Sequence, residues 1–208
     1  MLVFSKARLV FLSVPKTGTT AWQAALEAHA SMIVRAPPEL KHAPVFRYNR
    51  FFRPMLEKFI SDDLAVLAVM RDPIDWLGSW YRYRRRPSLE GHATGTHEVS
   101  FDAFVRAYAT GDRPAFANVG SQAKFLEPQR NGTRATHVFR YEDQAGLRRF
   151  LEDRLGIRVE TGRMNVSPAM DLALSAQTEQ ILRRKCPADF ALYDSIGAGG
   201  AYTAQAAD

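Results

Sequence analysis

Leu9-Val10-Phe11-Leu12-Ser13-Val14-Pro15-Lys16-Thr17-Gly18-Thr19-Thr20 is the stretch from which the fold of this chain is read. Its first half is a short, nearly continuous apolar run, the pattern of a strand buried on both faces of a parallel sheet. Beyond it, Ala21, Trp22, Ala25, Leu26 and Ala28 sit among good helix formers, predicting a helix over 19–30 that starts within or just after the loop. A helix N-terminus presents unpaired amides and a partial positive charge. Gly18 lets the backbone approach an anion closely, Lys16 adds a full charge, and Thr17, Thr19 and Thr20 add hydroxyls. Lys16, Thr17, Gly18, Thr19 and Thr20 are therefore predicted to cradle a phosphate or phosphosulfate.

Working outward, Leu64–Met70 reads as a second buried strand, ended by Arg71-Asp72-Pro73. Asp72 suits an N-cap and Pro73 a first helical turn, so a helix is expected over 73–84. Between the two units, 31–35 reads as a short strand and 37–42 as a loop. Residues 51–61 have helical spacing, with Phe52, Met55, Leu56 and Phe59 on one face. Residues 87–99 are polar, rich in turn formers, and expected to be mobile. Helices are predicted over 101–109, 120–126, 145–155 and 175–185, and a third strand over 136–141. This alternation argues an α/β fold, with a P-loop-like central parallel β-sheet flanked by helices on both faces and ligands beyond the strand C-termini. One domain is expected over 1–196, with a disordered tail over 197–208.

Composition narrows the partners. With 208 residues, 46% hydrophobic and 24% charged, the chain is an ordinary globular sequence with material for a real core. No apolar run approaches the roughly 20 residues of a membrane helix, and the first residues run straight into a core strand. A soluble, cytoplasmic protein without membrane insertion is the expectation. Cys186 is the single cysteine and is expected to be inert, with no disulfide or metal framework. Lys and Arg number 28 against 22 Asp and Glu. That excess favours anionic ligands but is too small to imply nucleic acid.

The loop does not fit the P-loop of nucleotide triphosphatases, which runs Gly, four residues, Gly-Lys and Ser or Thr. Here the initial glycine is missing, and Lys16 precedes the only loop glycine. Pro15-Lys16-Thr17-Gly18-Thr19-Thr20 instead resembles the 5'-phosphosulfate loop of the sulfotransferases that use 3'-phosphoadenosine-5'-phosphosulfate. Arg71-Asp72-Pro73 through Ser79-Trp80-Tyr81 is similar to that family's 3'-phosphate element, an arginine at a strand end and a serine on the next helix. More weakly, Phe139-Arg140-Tyr141-Glu142-Asp143 and Asn165-Val166-Ser167-Pro168 resemble the bacterial carbohydrate-sulfating, heparan-sulfate-type members. Glu142 and Asp143 also read as caps for the next helix.

The resemblance implies transfer of a sulfuryl group from that donor to a hydroxyl or amine, with a carbohydrate as the leading acceptor, by in-line displacement and without a metal. The product would be 3'-phosphoadenosine-5'-phosphate. Lys16 and the loop amides would stabilise the leaving oxygen, and Arg71 and Ser79 would hold the 3'-phosphate. A general base is also needed, and among five histidines His42 is preferred. It lies in the connection after the short strand at 31–35, with Glu39 as substitute. The run Trp80-Tyr81-Arg82-Tyr83-Arg84-Arg85-Arg86 reads either as steering for an anionic ligand or as a solvated helix end.

Overall fold

The computed structural model describes residues 1–160, 170 and 172–204. Strands β1 (Leu2–Phe4), β2 (Leu9–Phe11), β3 (Met32–Ile33), β4 (Ala65–Met70) and β5 (His137–Arg140) form one sheet in the order β3-β1-β2-β4-β5. β2, β4 and β5 are parallel, with Phe11 opposite Leu67 and Met70 opposite Arg140. β1 folds back on β2 as an antiparallel hairpin, Val3 opposite Val10, and β3 adds antiparallel to β1. The sheet is thus mixed rather than parallel. A turn at 5–8, too short for a crossover, forces the first two strands antiparallel.

Side chains alternate between two buried faces. Val3, Val10, Leu12, Val66, Ala68, Met70 and Val138 pack on one side with Tyr48, Leu56, Leu126 and Leu192. Leu2, Phe4, Leu9, Phe11, Leu67, Val69 and Phe139 pack on the other with Trp22, Leu26, Leu147 and Leu151. This is why the strands read as continuous apolar runs. The helices among the described residues are α1 (Thr19–Leu26), α2 (Pro38–Lys41), α3 (Val45–Arg47), α4 (Arg53–Phe59), α5 (Pro73–Arg84), α6 (Phe101–Tyr108), α7 (Gln122–Leu126), α8 (Gln144–Leu155), α9 (Ala176–Lys185) and α10 (Pro187–Asp194). A third apolar cluster joins α5, α6, α9 and α10 through Trp76, Tyr81, Phe104, Tyr108, Leu182 and Phe190.

Several expectations change. The 37–42 loop contains α2, led by Pro38 at a first-turn position where a missing N–H costs nothing. α10 carries no strong period and went unpredicted. The face over 51–61 splits: Leu56 is buried and Phe52 partly so, whereas Met55 and Phe59 face outward. A π turn, Tyr48–Phe52, joins α3 to α4 and realigns the helix, leaving Tyr48, Phe52, Leu56 and Ile60 as the core stripe. Within 87–99, Thr96 is fully buried, donates to the Tyr81 carbonyl through its hydroxyl and to the Arg84 carbonyl through its amide. In the described part of the tail, the Tyr202 hydroxyl donates to the Ala135 carbonyl and Gly200 is buried, close to the Phe139 ring, while 205–208 lie outside the described residues. No described helix is long and apolar enough to cross a membrane.

Candidate functional site

The three parallel strands end at one edge, and each delivers a residue to the same place: the loop after β2, Arg71 after β4, and Tyr141 after β5. Lys16 and Gly18 both have left-handed backbone, φ 66° and 73°. That conformation costs a non-glycine residue about 1–2 kcal/mol, so the loop holds Lys16 against a local preference. Gly18 must be glycine for a second reason. A Cβ there would stand 2.9 Å from the Tyr141 ring. No side chain caps α1; the Ala21 amide donates to the Gly18 carbonyl, and the Thr19 and Thr20 amides are left to an external acceptor.

Thr17 is fully buried, and its hydroxyl donates inward to the Val14 carbonyl at 2.9 Å. It braces the loop rather than facing an anion. Thr19 is buried at the first helical turn, and Thr20 is exposed. The Trp76 indole N–H donates to the Pro15 carbonyl at 2.8 Å, tying the loop to α5.

On α5, Asp75, Ser79 and Arg82 recur at helical spacing, with Arg71 one turn before and Arg86 one turn beyond. Arg71 donates to Asp75 at 2.6 Å and lies 4.4 Å from the centre of the Tyr141 ring. Arg82 stands 3.8 Å from the same carboxylate. Ser79 is buried within this face, where the 3'-phosphate element was expected. The next stripe carries Trp80 and Tyr83, whose ring centres lie 5.6 and 4.1 Å from the Lys16 ammonium. Burial, and then the charges of Arg86, Arg71 and Arg82, lower the Lys16 pKa to about 8. Burial also lowers that of Arg82, with Arg71 adding to the effect. Four cations thus share a site in which Asp75 is the paired carboxylate. Positive charge exceeds negative there, a standing preference for an anion.

Arg82 and Arg86 were not singled out from the basic run 80–86, although their spacing from Arg71 and Ser79 contained the signal. The run divides. Arg84 donates to the carbonyls of Ala115 and Asn118, and Arg85 to Tyr81 and Thr96, so those two are structural. Glu142 accepts from the Asp72 amide and the Tyr193 hydroxyl, and Asp143 caps α8 through the Gly146 amide. Asn165 and Ser167 lie outside the described residues.

His42 follows α2 directly. Its Nδ1 stands 2.7 Å from the Ser13 carbonyl, in the segment between β2 and the loop. A carbonyl can only accept, so Nδ1 carries the proton and Nε2 of the neutral ring keeps its lone pair. Burial lowers the His42 pKa below its ordinary value; the Ser13 bond opposes this, and the charges of Lys41 and Lys16 reinforce it. His42 is thus a neutral acceptor at pH 7, within electrostatic reach of Lys16. Glu39 is exposed, and its backbone carbonyl accepts from Arg47. His29 is exposed, and His137 packs at a tilt against Phe150, ring centres 4.8 Å apart.

Two cavities lie elsewhere. One of about 800 Å³ is lined by Arg106, Thr110, Arg113, Lys185 and Cys186, and one of about 260 Å³ lies between α7 and α10. Arg113 is committed to the carbonyls of Tyr108 and Gly120, and Asp112 offsets the remaining charge. Burial raises the Cys186 pKa, which favours the protonated thiol over the reactive thiolate. The loop is the stronger anion site. Comparison of the chain with family models, with characterised proteins and with solved structures gave no match in any of the three.

Proposed function

We propose that this protein is a sulfotransferase using 3'-phosphoadenosine-5'-phosphosulfate, built on a P-loop-like arrangement of β2, its loop and α1. The observation that carries the reading is the convergence of Arg71, Arg82 and Arg86 on Lys16, in the loop that leads into the uncapped N-terminus of α1, with Lys16 and Arg86 sharing the Tyr83 ring. The residues present fit the donor. A loop of left-handed backbone with glycine at its tightest point suits a phosphosulfate. Guanidinia on α5 suit the second, doubly charged phosphate of a 3'-phosphorylated nucleotide.

The donor supplies the sulfuryl group. Lys16 and the α1 amides stabilise the charge that develops on the leaving oxygen. His42 accepts the proton of the attacking hydroxyl or amine at Nε2, while its Nδ1–H bond to Ser13 fixes the ring. Arg71 and Arg82 hold the nucleotide, and Ser79 adds a hydroxyl at the same face. The resemblance of 139–143 to carbohydrate-sulfating enzymes favours a glycan acceptor.

Calorimetry with 3'-phosphoadenosine-5'-phosphate tests the donor site. The wild type is expected to bind, and a Lys16→Ala, Arg71→Ala double variant to lose binding. An undiminished double variant, or magnesium-dependent ATP binding tighter than that of the 3'-phosphorylated nucleotide, would sink the reading. Binding without sulfuryl transfer to any glycan screened would reduce the protein to a nucleotide-binding module. Near wild-type turnover in His42→Ala would place the base elsewhere.

A further inference from the structure

Five of the six exposed large apolar side chains among the described residues fall within 40–59: Leu40, Phe46, Phe51, Met55 and Phe59. They are not scattered. Phe51, Met55 and Phe59 recur every four residues along the helical run 45–59, one residue behind the buried stripe of Phe52, Leu56 and Ile60. Phe59 is 76% exposed and Phe51 58%. A neighbouring cation stands over each of the three rings: Arg47 at 5.4 Å from Phe46, Arg50 at 5.4 Å from Phe51, and Lys58 at 5.6 Å from Phe59. Arg53 is paired with Glu57. Among the described residues no ion pair neutralises Arg47, Arg50 or Lys58.

We infer that this face adsorbs to an anionic phospholipid surface. The rings and Met55 enter the headgroup and upper acyl region, while Arg50 and Lys58 meet lipid phosphates and Arg47, which donates to the Glu39 carbonyl, adds positive charge beside them. Exposed aromatics flanked by cations without an ion pair match the two halves of that interface, apolar below and negative above. A second copy of the chain fits worse, because a symmetric contact would set these cations against their own equivalents. An acidic polysaccharide also fits worse. Phe and Met offer no hydrogen bond to sugar hydroxyls, which would be buried unpaired. The contact is peripheral and reversible, and it is independent of the sulfotransferase reading.

Co-sedimentation tests it, using the whole chain with vesicles of phosphatidylcholine alone or mixed equally with phosphatidylglycerol. The wild type is expected to sediment with the mixed vesicles only, and less so as salt rises. Phe51→Ser with Phe59→Ser should weaken binding by about tenfold per ring, and Arg50→Glu with Lys58→Glu by at least about fivefold per charge. Unchanged thermal melting would separate these losses from misfolding. No sedimentation with mixed vesicles, equal sedimentation with neutral ones, or undiminished binding by the phenylalanine variant would overturn the inference. So would a dimer abolished by Phe59→Ser, or phenylalanine-dependent binding of a soluble sulfated polysaccharide without vesicle binding.

Discussion

Two neighbouring strands leave the same edge of the sheet and enter helices in opposite ways. After β4, Asp72 accepts from the amides of Ile74 and Asp75, and Pro73 removes one donor. The Gln122 amide group grips the Arg71 backbone from both sides, at 3.0 and 2.9 Å. Every local demand at that helix start is met within the protein. After β2, no side chain caps α1, Lys16 and Gly18 hold left-handed backbone, and Lys16 sits among three guanidinia. One unit is closed and serves as a platform for side chains. The other gives up stability to keep amides and charge available, the pattern expected where a ligand completes the structure.

Removing the lysine should break this contrast most visibly. Lys16→Met is expected to weaken binding of 3'-phosphoadenosine-5'-phosphate about 100-fold, the loss of a charge-assisted contact. The same variant should gain stability. The full pKa depression would correspond to roughly 3 kcal/mol, and solvent reaching the half-buried ammonium reduces that to about 1 kcal/mol. Calorimetry and thermal melting read the two effects. A variant that binds normally, or melts lower, would mean that Lys16 is structural.

Gly18→Ala attacks the same unit through its backbone. Left-handed strain costs about 1 kcal/mol, and the new methyl would press on the Tyr141 ring at 2.9 Å. That ring lies beside Arg71, so its shift disturbs both halves of the site. A stability loss of about 2 kcal/mol with weaker nucleotide binding is expected from urea unfolding and calorimetry. Little change in either would show that the loop is not held in this conformation.

The charge imbalance also predicts a pH dependence. An anion favours the protonated ammonium, so binding raises the Lys16 pKa from its free value of about 8 and takes up a proton. Below that value Lys16 is already charged and affinity is flat. Above it, protonation must accompany binding, and affinity should fall about tenfold between pH 7 and 9. Calorimetry across that range, in buffers of differing ionisation enthalpy, measures both affinity and proton uptake. A flat profile would place Lys16 outside the anion's field.

Much of this contrast was legible in the sequence, though unevenly. Val14-Pro15-Lys16-Thr17-Gly18-Thr19-Thr20 after an apolar run announced the open unit, and Arg71-Asp72-Pro73 the closed one, because loop and cap chemistry act within a few residues. The antiparallel hairpin was missed, since a three-residue strand carries too little pattern to show its direction. The inward turn of Thr17 depends on the Val14 carbonyl, and the split of 51–61 on a π turn, neither of which has a strong sequence signal. Arg82 and Arg86 were visible within a basic run. What separated them from Arg84 and Arg85 was where α5 packs, a tertiary fact that helical spacing only hints at.

The closed unit offers the smallest and most discriminating prediction. Asp72→Ala removes the acceptor for two amides of α5 and should cost about 1 kcal/mol, the usual value of a helix N-cap. Urea unfolding would show it as a lower midpoint at unchanged slope. Nucleotide affinity should move by less than about threefold, well below 1 kcal/mol. Arg71 remains gripped by Gln122 and paired with the Asp75 carboxylate, contacts that do not run through the Asp72 side chain. A loss of affinity as large as that of Lys16→Met would mean that the cap itself positions the anion, and the division between a closed platform and an open cradle would fail.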